Sequence, residues 1–369
     1  MTTMLASLPQ AHTEVITSLQ FSPHQSSVFC STSGDHTAAL WDWRQATSDY
    51  GIARLAHHQG PVNHALFLEE DEKVLLTASD DRTIAYWDVR ELSVPVGRIG
   101  DFGDGINKML RVPAPGANGG SRWLLASACD DGMVYINSLS PENGVWQQHN
   151  CQGQGTNVSN TAVVGTMVDR FWASTSTVND LVLSPNPSML LTASEDCAVR
   201  LWNIVADARA TTEDRLVASF EEFDNPVNHI AVFCNDIHAE GGQSPPEAGG
   251  CWLYAACSEF VFAVDIDSVT GAFGEGARTF VGHQDYVRGL EFIDHNTLLT
   301  VSDDATAIEW SLATAEPVRQ VKLHEGLVMA SATSAAKDVL LTGTDSGELR
   351  VWQLPFKTEM CNRGAPHGH

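Results

Sequence analysis

Positive charge is scarce in this chain: 21 Lys and Arg stand against 46 Asp and Glu in 369 residues, a formal net charge of −25. Nucleic-acid binders draw much of their affinity from a basic face that neutralises phosphates. The balance therefore argues against direct nucleic-acid binding and for basic or neutral protein partners, although the same charge also serves solubility alone. Long hydrophobic runs are missing too. No stretch approaches the ~18 consecutive apolar residues that a spanning helix needs, so no membrane role is expected. Residues 1–18 hold neither the basic nor the apolar segment of a secretory signal. The eight cysteines (30, 129, 151, 197, 234, 251, 257, 361) form no CxxC pair. Most lie inside apolar runs, as small hydrophobes do in a reducing compartment, which points to the cytoplasm or nucleus.

What is present is repetition. An apolar run ends in a Ser/Thr-x-Asp turn, and six residues after that Asp comes Trp. The clearest copies read VFCSTSGDHTAALWDWR (28–44), VLLTASDDRTIAYWDVR (74–90), MLLTASEDCAVRLWNIV (189–205) and LLTVSDDATAIEWSL (298–312). VLLTGTDSGELRVWQL (339–354) has Ser346 in place of the Asp. WLLASACDDGMVYINSL (123–139) has Asn137 in place of the Trp, and WLYAACSEFVFAVDI (252–266) has lost both. Upstream of each copy a second element opens another strand, at residues 16, 62, 106, 178, 227, 287 and 328. In four copies it begins with a His four residues earlier, at 12, 58, 283 and 324.

Short β-branched runs broken by Asp/Gly turns read as strands. A period of about 40–50 residues with four strands per unit is that of propeller blades. One four-stranded sheet cannot bury both its faces, whereas seven packed radially can. The expectation is all-β: a seven-bladed β-propeller over residues 1–354, with a short disordered tail at 355–369. With Gly282-His283 and the Trp-Asp pairs at 41–42 and 87–88, the chain resembles the WD-repeat family over about residues 3–354. The resemblance implies that each repeat supplies the outer strand of one blade and the inner three of the next. MLASLPQ (4–10) would then be the outer strand of the last blade, closing the ring without an unpaired edge.

His58, Ser79 and Asp81 have the composition of a nucleophilic triad. A similar His and Asp pairing recurs at His12/Asp35 and His283/Asp304, and an active site is not normally built three times. The resemblance implies a buried hydrogen-bond chain instead: His12, Asp35 and Trp41; His58, Ser79 or Thr77, Asp81 and Trp87; Asp196 and Trp202; His283, Asp304 and Trp310. No enzyme activity and no cofactor is expected. DIDSVTG (265–271) lacks the Gly and Glu of a calcium loop and reads as a turn. GQG (153–155) is too short for a dinucleotide loop, and the tail histidines 367 and 369 read as a loose end rather than a metal site.

The leading functional expectation is a protein-interaction scaffold within a larger complex. Its partner face, called top, carries the d–a and b–c connections when strands are lettered a to d outward. There the residue before each turn Asp is acidic in five blades: Asp80, Asp130, Glu195, Asp303 and Asp345. Inside this ring stand Asn63, Asn107, Asn179 and Asn228, with Arg288, Thr17 and Met329 in the other three places. Amides can donate to and accept from a peptide backbone while acids attract its basic side chains, so a basic, histone-like tail suits the face. Asp also favours such turns and Asn can bridge blade backbones, which gives a purely structural alternative. A second reading comes from WDWR (41–44) and WDVR (87–90). These resemble the WDxR element of WD-repeat substrate receptors of cullin-RING ubiquitin ligases, which would make Arg44 and Arg90 adaptor contacts. Gly/Pro-rich insertions at 112–122 and 235–250 are expected on the bottom face, and 150–173 in a d–a connection on top.

Overall fold

Each blade begins where a Val or Ile starts a run that alternates burial and ends where Asp or Gly forces a turn. The computed structural model describes residues 3–45, 51–69, 72–113, 123–139, 162–163, 165–205, 210–234, 250–267 and 269–356. Among these, the strands form seven antiparallel sheets around a central channel. Blade 1 is Ile16–Phe21, Val28–Ser33, Thr37–Asp42 and Ala53–Ala56. Blade 2 is Val62–Phe67, Val74–Ser79, Ile84–Asp88 and Gly97–Ile99. Blade 3 is Ile106–Pro113, Trp123–Cys129, Met133–Ser138 and Thr166–Trp172. Blade 4 is Val178–Leu183, Met189–Ser194, Ala198–Asn203 and Leu216–Phe220. Blade 5 is Val227–Cys234, Cys251–Cys257, Phe260–Ile266 and Phe273–Val281. Blade 6 is Val287–Asp294, Thr297–Ser302, Thr306–Ser311 and Pro317–Lys322.

Blade 7 closes the ring. Val328–Thr333, Val339–Thr344 and Leu349–Gln353 are completed by Met4–Leu8 from the start of the chain. Met4 pairs with Trp352 and Leu8 with Leu349, and Gln353 N–H donates to Thr3 C=O at 2.9 Å. The last strand therefore keeps no free edge, as the repeat pattern requires.

Apolar side chains fill the wedges between neighbouring blades. Leu76 and Tyr86 of blade 2 pack on Ile106, Met109 and Leu125 of blade 3. Ile16 and Phe29 of blade 1 pack on Leu341 and Val351 of blade 7. Every b–c turn places one residue in the left-handed region: His36, Arg82, Gly132, Cys197, Ser258, Ala305 and Gly347, with φ between 54° and 82°. Only two of the seven are glycine. Elsewhere a side chain tolerates about 1 kcal/mol of strain because the turn is fixed on both sides by strand pairing.

Three expectations need correction here. The long insertion of blade 3 leaves the end of Met133–Ser138 and returns as Thr166–Trp172, so it is a c–d connection on the bottom face, not a d–a connection on top. Part of it, Ala162–Val163, pairs in parallel with Gly97–Ile99 as a fifth strand of blade 2. The expected tail begins too early, because Phe356 is 2% exposed and packs with Leu354 and Trp352. Residues 357–369 lie outside the described residues, as do GQG at 153–155 and most of both Gly/Pro-rich insertions. Cys234 and Cys251, opposed across the first two strands of blade 5, are joined by a disulfide rather than acting as separate hydrophobes. No helix among the described residues is long and apolar enough to cross a membrane.

Candidate functional site

In blade 2 the strands and turns bring four side chains into one line. Trp87 Nε1 donates to Thr77 Oγ1 at 2.9 Å, and that hydroxyl meets His58 Nε2 at 2.8 Å. His58 Nδ1 meets Asp81 Oδ2 at 2.8 Å, and Asp81 also accepts from Gln59 N–H and the Thr83 hydroxyl. Satisfying every member assigns the proton to His58 Nδ1, so the chain runs indole to hydroxyl to imidazole to carboxylate. Blade 1 repeats it with Trp41, Ser31, His12 and Asp35. Blade 6 repeats it with Trp310, Thr300, His283 and Asp304.

The line resembles a hydrolase triad, but its hydroxyl cannot attack anything. Thr77, Ser31 and Thr300 are each 0% exposed, and the indole N–H already occupies the oxygen that would be the nucleophile. Burial works to raise Asp35, Asp81 and Asp304. The imidazole and threonine hydrogen bonds outweigh it and hold all three below the usual carboxylate range.

The hydroxyl in blade 2 is Thr77, not Ser79, which lies two residues nearer the turn and out of the indole's reach. Ser79 Oγ instead donates to Gly60 C=O at 3.1 Å and accepts from Asp81 N–H, tying the d–a loop to the b–c turn. Ser33 and Ser302 do the same to Glu14 and Asp285. Cys129 and Cys257 hold this place in blades 3 and 5, donating Sγ–H to Asp104 and Asn225 C=O at 3.2 and 3.1 Å. Burial pushes these thiols up to about 12 and about 11, so they stay protonated donors.

Where the repeat has decayed, other residues take the role by chemistry rather than position. In blade 3 the Tyr135 hydroxyl donates to Asp131 at 2.7 Å and accepts Gly103 N–H at 3.0 Å, replacing the missing His. In blade 4 Asp196 is held by Ser174 and Arg200, while Trp202 donates to Thr192. In blade 7 His324 keeps Thr342 but finds Glu348 at 3.3 Å in place of an Asp. Tyr135 and Glu348 were not singled out from the sequence because they fall outside the motif's spacing; Ser174 does stand at the His position, four residues before Val178, but is not a His.

The top face differs from the expectation in how its amides are used. Asn63, Asn107 and Asn179 donate to the carbonyls of Ile106, Val178 and Val227, each at the first strand of the next blade, at 3.2, 3.1 and 3.0 Å. They are stitches between blades, since an unpaired buried carbonyl would be costly. Asn63 and Asn107 also donate to Asp80 and Asp130 at 2.6 and 2.7 Å. Asp303 is 6% exposed and taken by three bonds from Arg288, so it presents no open charge. What remains acidic is an arc over blades 2 to 4, with Asp345 exposed on blade 7. Burial raises Asp130, and the carboxylates of Asp80, Asp104 and Glu195 raise it further. A Cβ at Gly105 would lie 2.7 Å from Asp80 Oδ1 and 2.8 Å from Asp130 Oδ2, so the glycine leaves the space between these two acids open.

Below the mouth lies a cavity of about 990 Å³ lined by first strands. Along its wall Asp180 of blade 4 pairs with Lys108 of blade 3 at 3.3 Å and lies against His229 Nδ1 of blade 5. Asp180 also accepts Ile230 N–H at 2.9 Å. Burial works to raise Asp180, but His229 and Lys108 hold it far below its ordinary value. On the bottom face Arg44 and Arg90 are 61% and 62% exposed, beside Asp42 and Asp88. Among the described residues no cluster of His, Cys, Asp or Glu could hold a metal ion. Asp267 closes its turn by accepting from Val269 and Thr270 N–H.

The family model described as "WD domain, G-beta repeat" matches residues 3–42, 51–88, 165–203 and 274–311. Each match takes in the outer strand of one blade and the inner three of the next. The nuclear distribution protein PAC1 of Arthroderma benhamiae is 25% identical over 313 residues, covering 82% of this chain and 60% of that protein. The protein lethal(2)denticleless of Drosophila melanogaster is 22% identical over 349 residues, covering 94% of this chain and 39% of that one. The chain thus spans under two thirds of the length of these relatives. The WD40 β-propeller domain of Doa1 superposes with a TM-score of 0.65 at 16% identity, covering 96% of this chain and 98% of that one.

Proposed function

This chain is a WD-repeat β-propeller, and on that premise we propose that it is a non-catalytic interaction subunit that binds a basic protein segment over blades 2 to 4 of its top face. The observation that carries this reading is the acidic arc itself, where Asp80 and Glu195 stand exposed with Asp130 between them and the nearby Arg82 pairs with Asp104. Burial, and beyond it the carboxylates of Asp80, Asp104 and Glu195, raise Asp130 against the hydrogen bond from Asn107. A Lys or Arg side chain of a partner, such as a histone-like tail, would relieve that repulsion. The overall charge of −25 would steer such a partner and disfavour nucleic acid and anionic membrane.

The test replaces Asp80 and Asp130 with Asn and Glu195 with Gln together, then measures the anisotropy of labelled Lys/Arg-rich peptides. Each exposed pair is worth about 0.2–1 kcal/mol, so affinity should fall roughly tenfold at low salt and less at moderate salt. Unchanged affinity with an unchanged melting temperature contradicts the reading.

A second reading is favoured by Arg44 and Arg90, which are exposed beside their aspartates at matching places of adjacent blades on the opposite face. In that reading the propeller is a substrate receptor joined to a cullin-RING ligase. Arg44→Glu with Arg90→Glu should then remove cullin components from material co-purified with the protein; their retention rejects it.

A further inference from the structure

Blade 5 is the blade in which the polar line has given way to apolar side chains. Phe223, Ala255 and Val264 stand where blade 2 has His58, Thr77 and Trp87, and all three are buried in one cluster. At the bottom end of the blade its first two strands are joined by the Cys234–Cys251 disulfide, the last rung of their ladder. The alternation of the ladder shows what that rung lacks. Ile230 N–H donates to Asp180 instead of across the ladder, which marks Ile230–Ala255 as a non-hydrogen-bonded pair. Such pairs recur at every second rung, so Cys234–Cys251 is one too, in keeping with its Cα separation of 4.1 Å. The tie between these two residues is therefore the sulfur bridge and not a pair of backbone bonds. The same bridge closes the a–b insertion, whose two ends are the cysteines, at a sequence separation of 17.

The other described cysteines, Cys30, Cys129, Cys197 and Cys257, are free thiols. Burial pushes Cys30 and Cys129 up to about 12 and Cys257 up to about 11, so these three stay protonated and slow to exchange. Cys234 is only half-buried and ends its strand, whereas Cys251 is buried, so an attacking thiolate meets Cys234 first. We propose that Cys234–Cys251 is a reversible redox lock on blade 5, opened by a small dithiol and closed by a small disulfide such as oxidised glutathione. The dithiol's thiolate attacks Cys234 Sγ, the S–S bond breaks, and Cys251 leaves as a thiolate that takes up a proton. The dithiol's second sulfur then displaces Cys234 from the mixed disulfide. Two electrons and two protons have passed to the protein, and the dithiol has become a cyclic disulfide. With the bridge open, the ends of the insertion are free to part and Phe233–Trp252 becomes the last rung. Phe233 stacks on Phe292 of blade 6 at 4.6 Å, and Trp252 carries the Arg278 guanidinium at 4.8 Å. Fraying there loosens the bottom of the seam between blades 5 and 6. The top end of the same strand, where Asn228 and His229 line the channel, stays anchored through Asp180. The lock thus acts on the bottom face and does not rest on the partner-binding reading above.

The experiment equilibrates the native protein in glutathione buffers of graded ratio, with dithiothreitol as the fully reducing end, and reads thiols by alkylation and mass spectrometry. Cys234 and Cys251 should be alkylated together as the buffer grows more reducing and be protected again on return to oxidised glutathione. Cys30, Cys129 and Cys257 should stay unlabelled throughout. The reduced protein should melt about 4 °C lower, the loop-closure effect expected in a chain of this size. Hydrogen exchange should quicken at residues 231–234 and 251–254 and stay unchanged in blades 1 and 2. Cys234→Ser with Cys251→Ser should match the reduced protein and no longer respond to dithiothreitol. A bridge that survives dithiothreitol in the native protein is a permanent staple and overturns the lock. So does reduction that moves neither melting nor exchange, and so do thiols at Cys234 and Cys251 that oxidised glutathione fails to join. The unsubstituted protein carries the test even where the double variant fails to fold.

Discussion

Blades 1, 2 and 6 carry the complete indole–hydroxyl–imidazole–carboxylate line, whereas blades 3, 4 and 5 carry fragments or substitutes of it. The sheets are alike, so the line is one means of tying a d–a loop to a b–c turn and not a requirement for a blade. What distinguishes the incomplete blades is the Lys108–Asp180–His229 cluster on the channel wall, two of the three acids of the top arc, and the insertion-bearing connections. Regular blades hold the ring; irregular ones present its distinctive chemistry.

The largest test of that division strikes the seam. Deleting residues 1–10 removes Met4–Leu8 and bares the Leu349–Gln353 edge, together with the surface covered by Leu8, which is 5% exposed. Stability should drop by about 3 kcal/mol or more and the protein should aggregate. A monomer with an unaltered melting temperature in size-exclusion and calorimetry contradicts the closure.

Next comes the line itself. Asp81→Ala should destabilise by about 1–3 kcal/mol, since His58 and Gln59 lose their acceptor in a nearly closed site. Ser346→Ala, at the corresponding place of blade 7, should stay within about 0.5 kcal/mol, while Glu348→Ala should behave like a weaker Asp81→Ala. Equal denaturant midpoints for Asp81→Ala and Ser346→Ala would rule out the hydrogen-bond role.

Acid separates the paired carboxylates from the buried histidines by pH window. Asp35, Asp81 and Asp304 have depressed folded values, so their stabilisation is present above the unfolded value near 4 and is lost only as pH falls below it. His324 runs differently: burial and the nearby Arg350 push it down to about 4, against the pull of Glu348. Burial holds His64 well below its ordinary value too, with Lys108 and His229 adding to it and Asp180 opposing. Both are neutral when folded, so unfolding gains protons and stability should begin to decline below about pH 6.5. His324→Gln should flatten part of that decline. A melting temperature constant between about pH 7 and 4.5 in the parent protein refutes it.

The smallest effect is expected for Tyr135→Phe, which should cost about 1 kcal/mol in urea unfolding by depriving Asp131 and Gly103 of their shared hydroxyl. No change would mean that blade 3 needs no substitute for its missing His.

Much of this architecture is legible in the residues. The first strand of every blade begins at the β-branched position that the repeat indicates, and the ring closes through Met4–Leu8. Position is what repetition encodes well. It encodes partners poorly: Thr77 and Ser79 are both buried hydroxyls in one strand, and only the reach of Trp87 decides between them. Asn63 reads equally well as a ligand for a peptide or as a stitch to Ile106, because the choice depends on where the next blade's carbonyl falls. Thr166–Trp172 was hidden behind an insertion with several turn signals, Asn143-Gly144 and Gly165 among them, so none of them alone marks where the outer strand begins. Cys234 and Cys251 are separated by 17 positions, and only strand pairing places them opposite one another.

Hydrogen exchange with and without a Lys/Arg-rich peptide tests the central claim most directly, because it reports which face and which blades are covered. The account predicts new protection in the loops bearing Asp80, Gly105, Asp130 and Glu195, with the turns at Arg44 and Arg90 unchanged. Protection confined to the bottom face, or spread evenly over all seven blades, would contradict it.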